Sequence, residues 1–156
     1  MKTIHFIAIR VFSHEDKGDD TALIIKKLTS LFPFDLEKEK IVIKTKKAEG
    51  FADKIIIVFT VMLTKDRHVN GFLSNLAEKL GDEAKTIIEQ VDSRVDDELN
   101  LFIRLDKEMM MKDKYVLTDS GNCYHLRVNL AAFPKKKEKA AGIVSQILNI
   151  KHKQYI

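Results

Sequence analysis

The sequence predicts an α+β domain in which helices cover one side of a single mixed sheet. Two segments, Leu99–Asp106 and Tyr124–Leu130, alternate apolar and polar residues with a period of two, as strands do when one sheet face is buried. The run Ile55–Leu63 is almost wholly apolar and rich in β-branched residues, which indicates a central buried strand. Between these segments, apolar residues recur at helical spacing. Strands and helices mix without strict alternation, which favours a two-layer arrangement.

The first half of the chain is expected to supply three strands and one helix. Residues 3–13 are apolar on both faces at the centre, which indicates an interior strand. Asp20 is a suitable cap for a helix that Pro33 ends. Lys40–Lys46 alternates isoleucine with lysine and predicts a strand near an edge, with a turn at residues 49–50. The buried strand described above follows.

The second half is expected to begin with helices at about Lys65–Leu80 and Glu83–Arg94, each with an apolar stripe. The first alternating strand then leads through a short connection into a hairpin, whose second strand is the other alternating segment. A last helix is predicted to begin at Phe133-Pro134. The expected order is therefore β-α-β-β-α-α-β-β-β-α.

Composition indicates one globular domain over residues 1–156, because 45% of the residues are hydrophobic and 32% are charged. The single cysteine, Cys123, excludes an internal disulfide framework and fits a reducing compartment. No apolar run reaches the ~18 residues of a membrane span. His5 and Arg10 interrupt the apolar start, which indicates a strand and not a signal peptide. We expect a cytoplasmic protein without a cofactor.

The polar faces of the two alternating strands are the first candidate site. An open sheet face with basic and aromatic residues can stack unpaired bases and bind phosphates. The alternative is a solvated face with cross-strand ion pairs, since antiparallel sheets commonly keep one face in water. The residues of matching parity are Phe102, Arg104, Asp106, His125, Arg127, Asn129 and Phe133.

A run of lysines at the start of the last predicted helix is the second candidate site. Lys135, Lys136, Lys137 and Lys139 would lie where the helix dipole disfavours cations, unless a bound phosphate reverses the balance. The alternative is a solvated charge run. The net charge of +4 gives modest support for an anionic partner.

Other residues fit simpler explanations. Met109–Met111 suits either a pliable contact surface or a loop packed under a helix. Cys123 and His125 share a strand face, but no orienting group for a catalytic pair is recognisable. A nuclease that uses Asp106 and a metal would need converging carboxylates, which the sequence does not suggest. We therefore expect no enzyme.

Three segments resemble a small, largely archaeal RNA-binding family regarded as predicted exosome subunits. They are LFIRLDKE at Leu101–Glu108, HLRVNLAAFP at His125–Pro134 and RVFSHEDKGDD at Arg10–Asp20. The resemblance covers most of the chain and implies a fold similar to the ribosomal large-subunit protein that binds 5S rRNA. Relatives often carry a His-Tyr-Gly-Asn-like turn at residues 50–53, here Gly-Phe-Ala-Asp, and Gln at the position of Glu108.

The resulting hypothesis is a non-catalytic protein that binds structured RNA, as an accessory to RNA processing or the exosome. The alternative is a protein-interaction or homodimerisation module that uses the Met109–Met111 loop and an exposed sheet edge. The resemblance implies roles for Arg104, Asp106, Lys107 and His14. The candidate RNA-binding residues are His14, Phe102, Arg104, Asp106, Lys107, Arg127, Phe133, Lys135, Lys136, Lys137 and Lys139.

Overall fold

A computed structural model describes residues 2–49 and 54–148. The turn expected at residues 49–50 and the family difference at 50–53 therefore fall largely outside the described residues. The strands are β1 (Ile4–Ser13), β2 (Lys44–Glu49), β3 (Ile55–Leu63), β4 (Asn100–Asp106) and β5 (Cys123–Leu130). The helices are α1 (Thr21–Ser30), α2 (Asp66–Leu80), α3 (Glu83–Glu89), α4 (Val91–Arg94), α5 (Lys107–Met110) and α6 (Ala140–Leu148).

The strands form one five-stranded sheet in the order β2-β3-β1-β5-β4. The predicted α+β class is confirmed. Every neighbouring pair is antiparallel, so the mixed pairing we expected is wrong. The reason is physical: a period of two reports which face of a strand is buried, but it carries no information about the direction of the neighbouring strand.

The hairpin expected before β5 is reduced to a single bridge between Leu105 and Leu117. Two further backbone hydrogen bonds, from Asp106 N to the carbonyl of Val116 and from Thr118 N to that of Arg104, hold this segment along β4. The sixth predicted strand is therefore absent from the described residues. The segment nevertheless covers part of the outer edge of β4, which limits pairing with another chain there.

Helix boundaries agree with the sequence prediction at α2 but differ at two other places. The helix expected over Glu83–Arg94 breaks at Gln90 into α3 and α4. The last helix begins at Ala140, after a 3-10 turn at Lys137–Lys139, and not at Pro134. Lys136 has an extended backbone, so the chain enters the helical conformation only after it.

The core lies between one face of the sheet and the helices. Alternate residues of β1, β3, β4 and β5 are buried there, and α1, α2, α3 and α6 contribute the opposing apolar side chains. Tyr124 is fully buried, and its hydroxyl donates a 2.8 Å hydrogen bond to the carbonyl of Ile24. This bond joins α1 to β5 and satisfies a polar group inside the core. Within the described residues, no helix combines the length and apolarity that crossing a membrane requires.

Candidate functional site

The sheet face turned away from the core presents several basic side chains, and we call it the open face. Its side chains alternate with the buried ones along β1, β3, β4 and β5, whereas β2 is exposed on both faces. Among the described residues of the open face, Asn100 and Cys123 are buried and the others are half-buried or exposed. The open face includes Phe6, Ala8, Arg10, Phe12, Lys44, Lys46, Val58, Thr60, Met62, Asn100, Phe102, Arg104, Asp106, His125, Arg127 and Asn129.

A row of directly opposed residues crosses the whole open face. The row consists of one residue from each strand, each paired with the next in the strand register: Lys44, Thr60, Arg10, His125 and Arg104. Because neighbouring strands lie about 4.8 Å apart, the row extends for about 19 Å. Polar and cationic groups therefore form a continuous line from one sheet edge to the other, which we call the basic row.

Two arginines of the open face lie against aromatic rings. The guanidinium carbon of Arg10 is 5.4 Å from the ring centroid of Phe12, and that of Arg127 is 5.1 Å from the ring centroid of Phe6. Both distances are within the range of cation–π attraction. These contacts hold the two guanidinium groups close to the sheet, where their N–H donors can face a ligand.

His125 lies at the centre of the basic row. Its ring is 5.5 Å from that of Phe102 and inclined by 38°. The pKa of His125 is lowered, first because burial disfavours the charged ring and then because Arg10, Arg104 and Arg127 repel a further positive charge. The imidazole is therefore neutral near pH 7 and offers a flat, uncharged ring beside three cations.

The cations of the open face have few acidic neighbours. In residues 2–49 and 54–148, no carboxylate lies within 4.0 Å of the guanidinium groups of Arg10, Arg104 or Arg127. Asp106 is the acidic residue of this face, and its Oδ1 accepts a 2.9 Å hydrogen bond from Met109 N. The cross-strand ion pairs of the alternative interpretation are therefore not formed among the described residues.

Lys107 lies inside the fold, away from the open face. Its side chain is 4% exposed, and Nζ donates hydrogen bonds to the carbonyl of Phe12 at 2.7 Å and to Oδ2 of Asp19 at 3.0 Å. The sequence predicts an RNA contact for Lys107. In the structure, these two hydrogen bonds from its ammonium link the end of β1 to the following loop, because a buried ammonium requires such partners.

His14 also contacts Asp19. Its backbone N–H donates to Oδ2 of Asp19 at 2.9 Å, and its ring Nδ1 lies 3.8 Å from that oxygen. The pKa of Asp19 is lowered: burial alone would raise it, but the hydrogen bond from His14 and the contact with Lys107 outweigh that effect. The half-buried ring of His14 is 6.3 Å from that of Phe12, at the margin of the open face.

The lysines after β5 do not form the first turn of a helix as expected. Lys135 pairs with Glu98, and Nζ of Lys139 donates to the carbonyl of Phe133 at 3.2 Å. Lys136 and Lys137 are exposed, in the extended segment and in the 3-10 turn before α6. Phe133 is 95% exposed, beyond the end of the sheet. These residues therefore form a separate flanking segment beside the open face.

Half of the open face is not evident from the sequence. Arg10, Phe6 and Phe12 lie on β1. The centre of that strand is apolar on both faces, which suggests a strand covered on both sides. Lys44 and Lys46 lie on β2, and their alternation with other residues does not by itself join them to the other strands. The basic and aromatic residues of both strands can be read from the sequence. Only the order of the strands in the sheet shows that they share a face with Arg104.

The structure also shows the surroundings of the residues considered for the alternative functions. Met110 is fully buried, so the Met109–Met111 loop chiefly packs against the core. The outer edge of β2 is exposed but carries lysines, which discourage strand pairing. Cys123 is buried, and burial raises the pKa of its thiol. No group of three His, Cys, Asp or Glu in the described part of the chain is placed to hold a metal ion.

Comparison with known proteins identifies relatives by both sequence and structure. A family model described as RNA binding matches residues 7–130, a span that contains nearly all of the sheet. An RNA-binding protein of Pyrococcus abyssi is 28% identical over 145 residues, covering 92% of this chain and 93% of the relative. A crystal structure of a protein from Archaeoglobus fulgidus has a TM-score of 0.80 and 26% identity, with 92% of this chain and 99% of that chain covered.

A second solved structure has the same fold at lower identity. It is a DUF54 protein of Methanothermobacter thermautotrophicus, with a TM-score of 0.73, 24% identity, and coverage of 94% of this chain and 99% of that chain. The fold is therefore shared over nearly the whole length of both structures.

Proposed function

Because this chain belongs to the RNA-binding family, we propose that it is a non-catalytic RNA-binding protein and that RNA lies across the open face. The observation that carries the proposal is the basic row. Arg10 and Arg104 are held on opposite sides of His125 and have no described carboxylate partner. Cations left without acidic partners favour binding of the phosphate backbone, which supplies most of the sequence-independent affinity for nucleic acid.

The aromatic residues give the open face a second means of contact. Unpaired bases stack on aromatic rings and on guanidinium planes, and RNA-binding sheets commonly use such residues. Phe102 and His125 supply adjacent rings, while the cation–π contacts keep Arg10 and Arg127 near the sheet. We propose that arginines bind phosphates and that rings stack on bases where the RNA is unpaired.

The other candidate residues take different roles in this proposal. Lys136 and Lys137, with Phe133, would extend the RNA contact beyond the sheet end, since they are exposed. Lys107 and Asp106 would position the strand ends, because their polar atoms already have partners inside the protein.

The direct test measures equilibrium binding of a fluorescent structured RNA over a salt series. Arg10→Gln with Arg104→Gln should weaken binding about tenfold or more at low salt, and the slope of log K against log salt should become shallower by roughly 0.7–0.9 for each phosphate that the double variant no longer neutralises. Lys26→Gln with Lys79→Gln is the matched control, because it removes two charges from exposed positions on the helical layer. Equal behaviour of the two double variants would refute an RNA interface on the open face.

We further propose that the bound RNA is a substrate or component of an RNA-processing assembly, with the protein as an accessory. The support is the strand-end motif of Arg104, Asp106 and Lys107 and its resemblance to predicted exosome subunits. Affinity purification of the tagged chain should then recover ribonuclease subunits. The association should be lost when Arg10 and Arg104 are replaced, and recovery of no ribonuclease would argue against this role.

A further inference from the structure

A pocket of about 450 Å³ opens at one corner of the open face, where β1 begins and β5 ends. Its volume falls within the roughly 300–1,000 Å³ typical of small-ligand sites. Phe6, Asn100, Arg127 and Asn129 line its sheet side, and Glu98 and Lys135 line the side formed by the loops. The register of β1 against β5 shifts between Ile4 and Phe6 at this point. Such bulges redirect side chains and often lie beside functional sites.

Arg127 gives the pocket a planar, cationic wall. Its guanidinium lies over the ring of Phe6, so one side of the group is backed by an aromatic surface. No carboxylate among the described residues forms a salt bridge with it within 4.0 Å. A guanidinium held in this way can stack with a base on its free side and donate hydrogen bonds from its edge.

A chain of hydrogen bonds fixes the amide of Asn129 at the pocket wall. The carboxylate of Asp96 accepts from both the backbone N and the Nδ2 of Asn100, at 2.9 and 3.2 Å. The Oδ1 of Asn100 then accepts from Nδ2 of Asn129 at 2.8 Å, and the carbonyl of Glu98 lies 3.4 Å from the same nitrogen. The amide nitrogen of Asn129 is thereby engaged, which leaves its Oδ1 as an oriented acceptor.

We propose that this pocket holds one unpaired nucleobase of an RNA whose backbone lies on the open face. The inference rests on the proposed function and adds a site of shape-dependent recognition to it. The base stacks on the guanidinium of Arg127, and an exocyclic amine or ring N–H of the base donates to Oδ1 of Asn129. Lys135, paired with Glu98 at the rim, offsets the acidic charge that would otherwise repel the approaching phosphate.

The test compares a fluorescent RNA hairpin that carries a single-nucleotide bulge with the same hairpin fully paired, each of the four bases being placed in the bulge. The wild type should bind at least one bulged hairpin about fivefold or more tightly than the paired hairpin, as expected for stacking of one base. Arg127→Lys keeps the charge but removes the planar group, so it should abolish this preference, and the ratio of the affinities for the bulged and paired hairpins should fall to about one.

Two further variants separate this proposal from the proposed function. Arg104→Lys is the matched control, since it makes the same change on the open face outside the pocket and should keep the bulge preference. Asn129→Ala should reduce the preference as Arg127→Lys does, with folding checked by circular dichroism. A wild type without bulge preference, or a preference that survives both pocket variants, would overturn the nucleobase site. Loss of affinity for both hairpins in Arg10→Gln with Arg104→Gln would still support RNA binding on the open face.

Discussion

The ammonium of Lys107 and the carbonyl oxygen of Phe12 are joined by a 2.7 Å hydrogen bond, although 95 residues separate them in the sequence. The same ammonium lies 3.0 Å from Oδ2 of Asp19. This buried contact connects the end of β1 to the start of α5, and it keeps the loop with His14 beside the open face. Its role is therefore structural, and the prediction from it concerns stability.

Lys107→Met should lower the free energy of unfolding by roughly 2–3 kcal/mol, because the variant removes a hydrogen bond from a charged group and leaves the carboxylate of Asp19 without its cation. Urea denaturation at pH 7 measures the change. Lys112→Met is the control, since that lysine is exposed on the neighbouring turn and should change stability by less than about 0.5 kcal/mol. RNA affinity of the folded Lys107→Met protein should stay within about twofold, and a large decrease would make Lys107 an RNA contact after all.

Stability should depend on pH through His125. Its pKa is lowered in the folded protein, so the unfolded chain takes up a proton first as the pH falls through the ordinary histidine range near 6.5. The contribution of a neutral His125 is therefore complete above that range and is lost as the pH falls below it. Urea denaturation at pH 7.5 and 5.5 should show a smaller loss of stability in His125→Gln than in the wild type. Equal losses in the two proteins would contradict this assignment.

Bound RNA should have the opposite effect on His125 and raise its pKa. A phosphate beside Arg10 and Arg104 would offset their repulsion and favour the protonated imidazole, so binding should strengthen as the pH falls toward 5.5. His125→Gln should bind with a weaker dependence on pH between 7.5 and 5.5. Binding titrations at constant ionic strength measure this difference. A wild-type affinity that falls with the pH in step with the variant would place the phosphate away from His125.

The buried hydroxyl of Tyr124 gives a second stability prediction. Tyr124→Phe removes the hydrogen bond to the carbonyl of Ile24 and should lower the free energy of unfolding by about 1 kcal/mol. Tyr115→Phe is a matched control, because Tyr115 is only partly buried at the margin of the core. Chemical denaturation of both variants would test the difference, and equal stabilities would show that the Tyr124 bond contributes little.

The sequence allowed good prediction of some elements but not of their assembly, and the strand expected at Lys40–Lys46 lies instead at Lys44–Glu49. Alternation located β4 and β5 within a residue or two, and the apolar stripe located α2, because local periodicity reports burial directly. Strand direction and order depend on contacts between distant segments. Period-two patterns therefore could not show that β1 lies between β3 and β5, or that Arg10 lies opposite His125.

The same limit explains why the burial of Lys107 and the late start of the last helix could not be predicted. Lys107 follows a strand that exposes Arg104, and nothing local indicates that the chain turns inward there toward Asp19. The sequence places the lysines after Pro134 at the start of the last predicted helix. The extended backbone at Lys136 delays the α-helix to Ala140, so the dipole argument no longer applies to Lys135 and Lys136.

The flanking lysines yield a final prediction that depends on charge alone. If Lys136 and Lys137 contact phosphates beyond the sheet, Lys136→Glu with Lys137→Glu should weaken binding of structured RNA several-fold and make the salt dependence shallower. Lys26→Glu with Lys79→Glu makes the same change in net charge on the helical layer and should have a smaller effect, because Debye screening over about 8 Å at physiological ionic strength limits the influence of distant charges. Binding titrations at three salt concentrations compare the two. Equal weakening would mean that total charge, and not the position of these lysines beside the open face, governs the interaction.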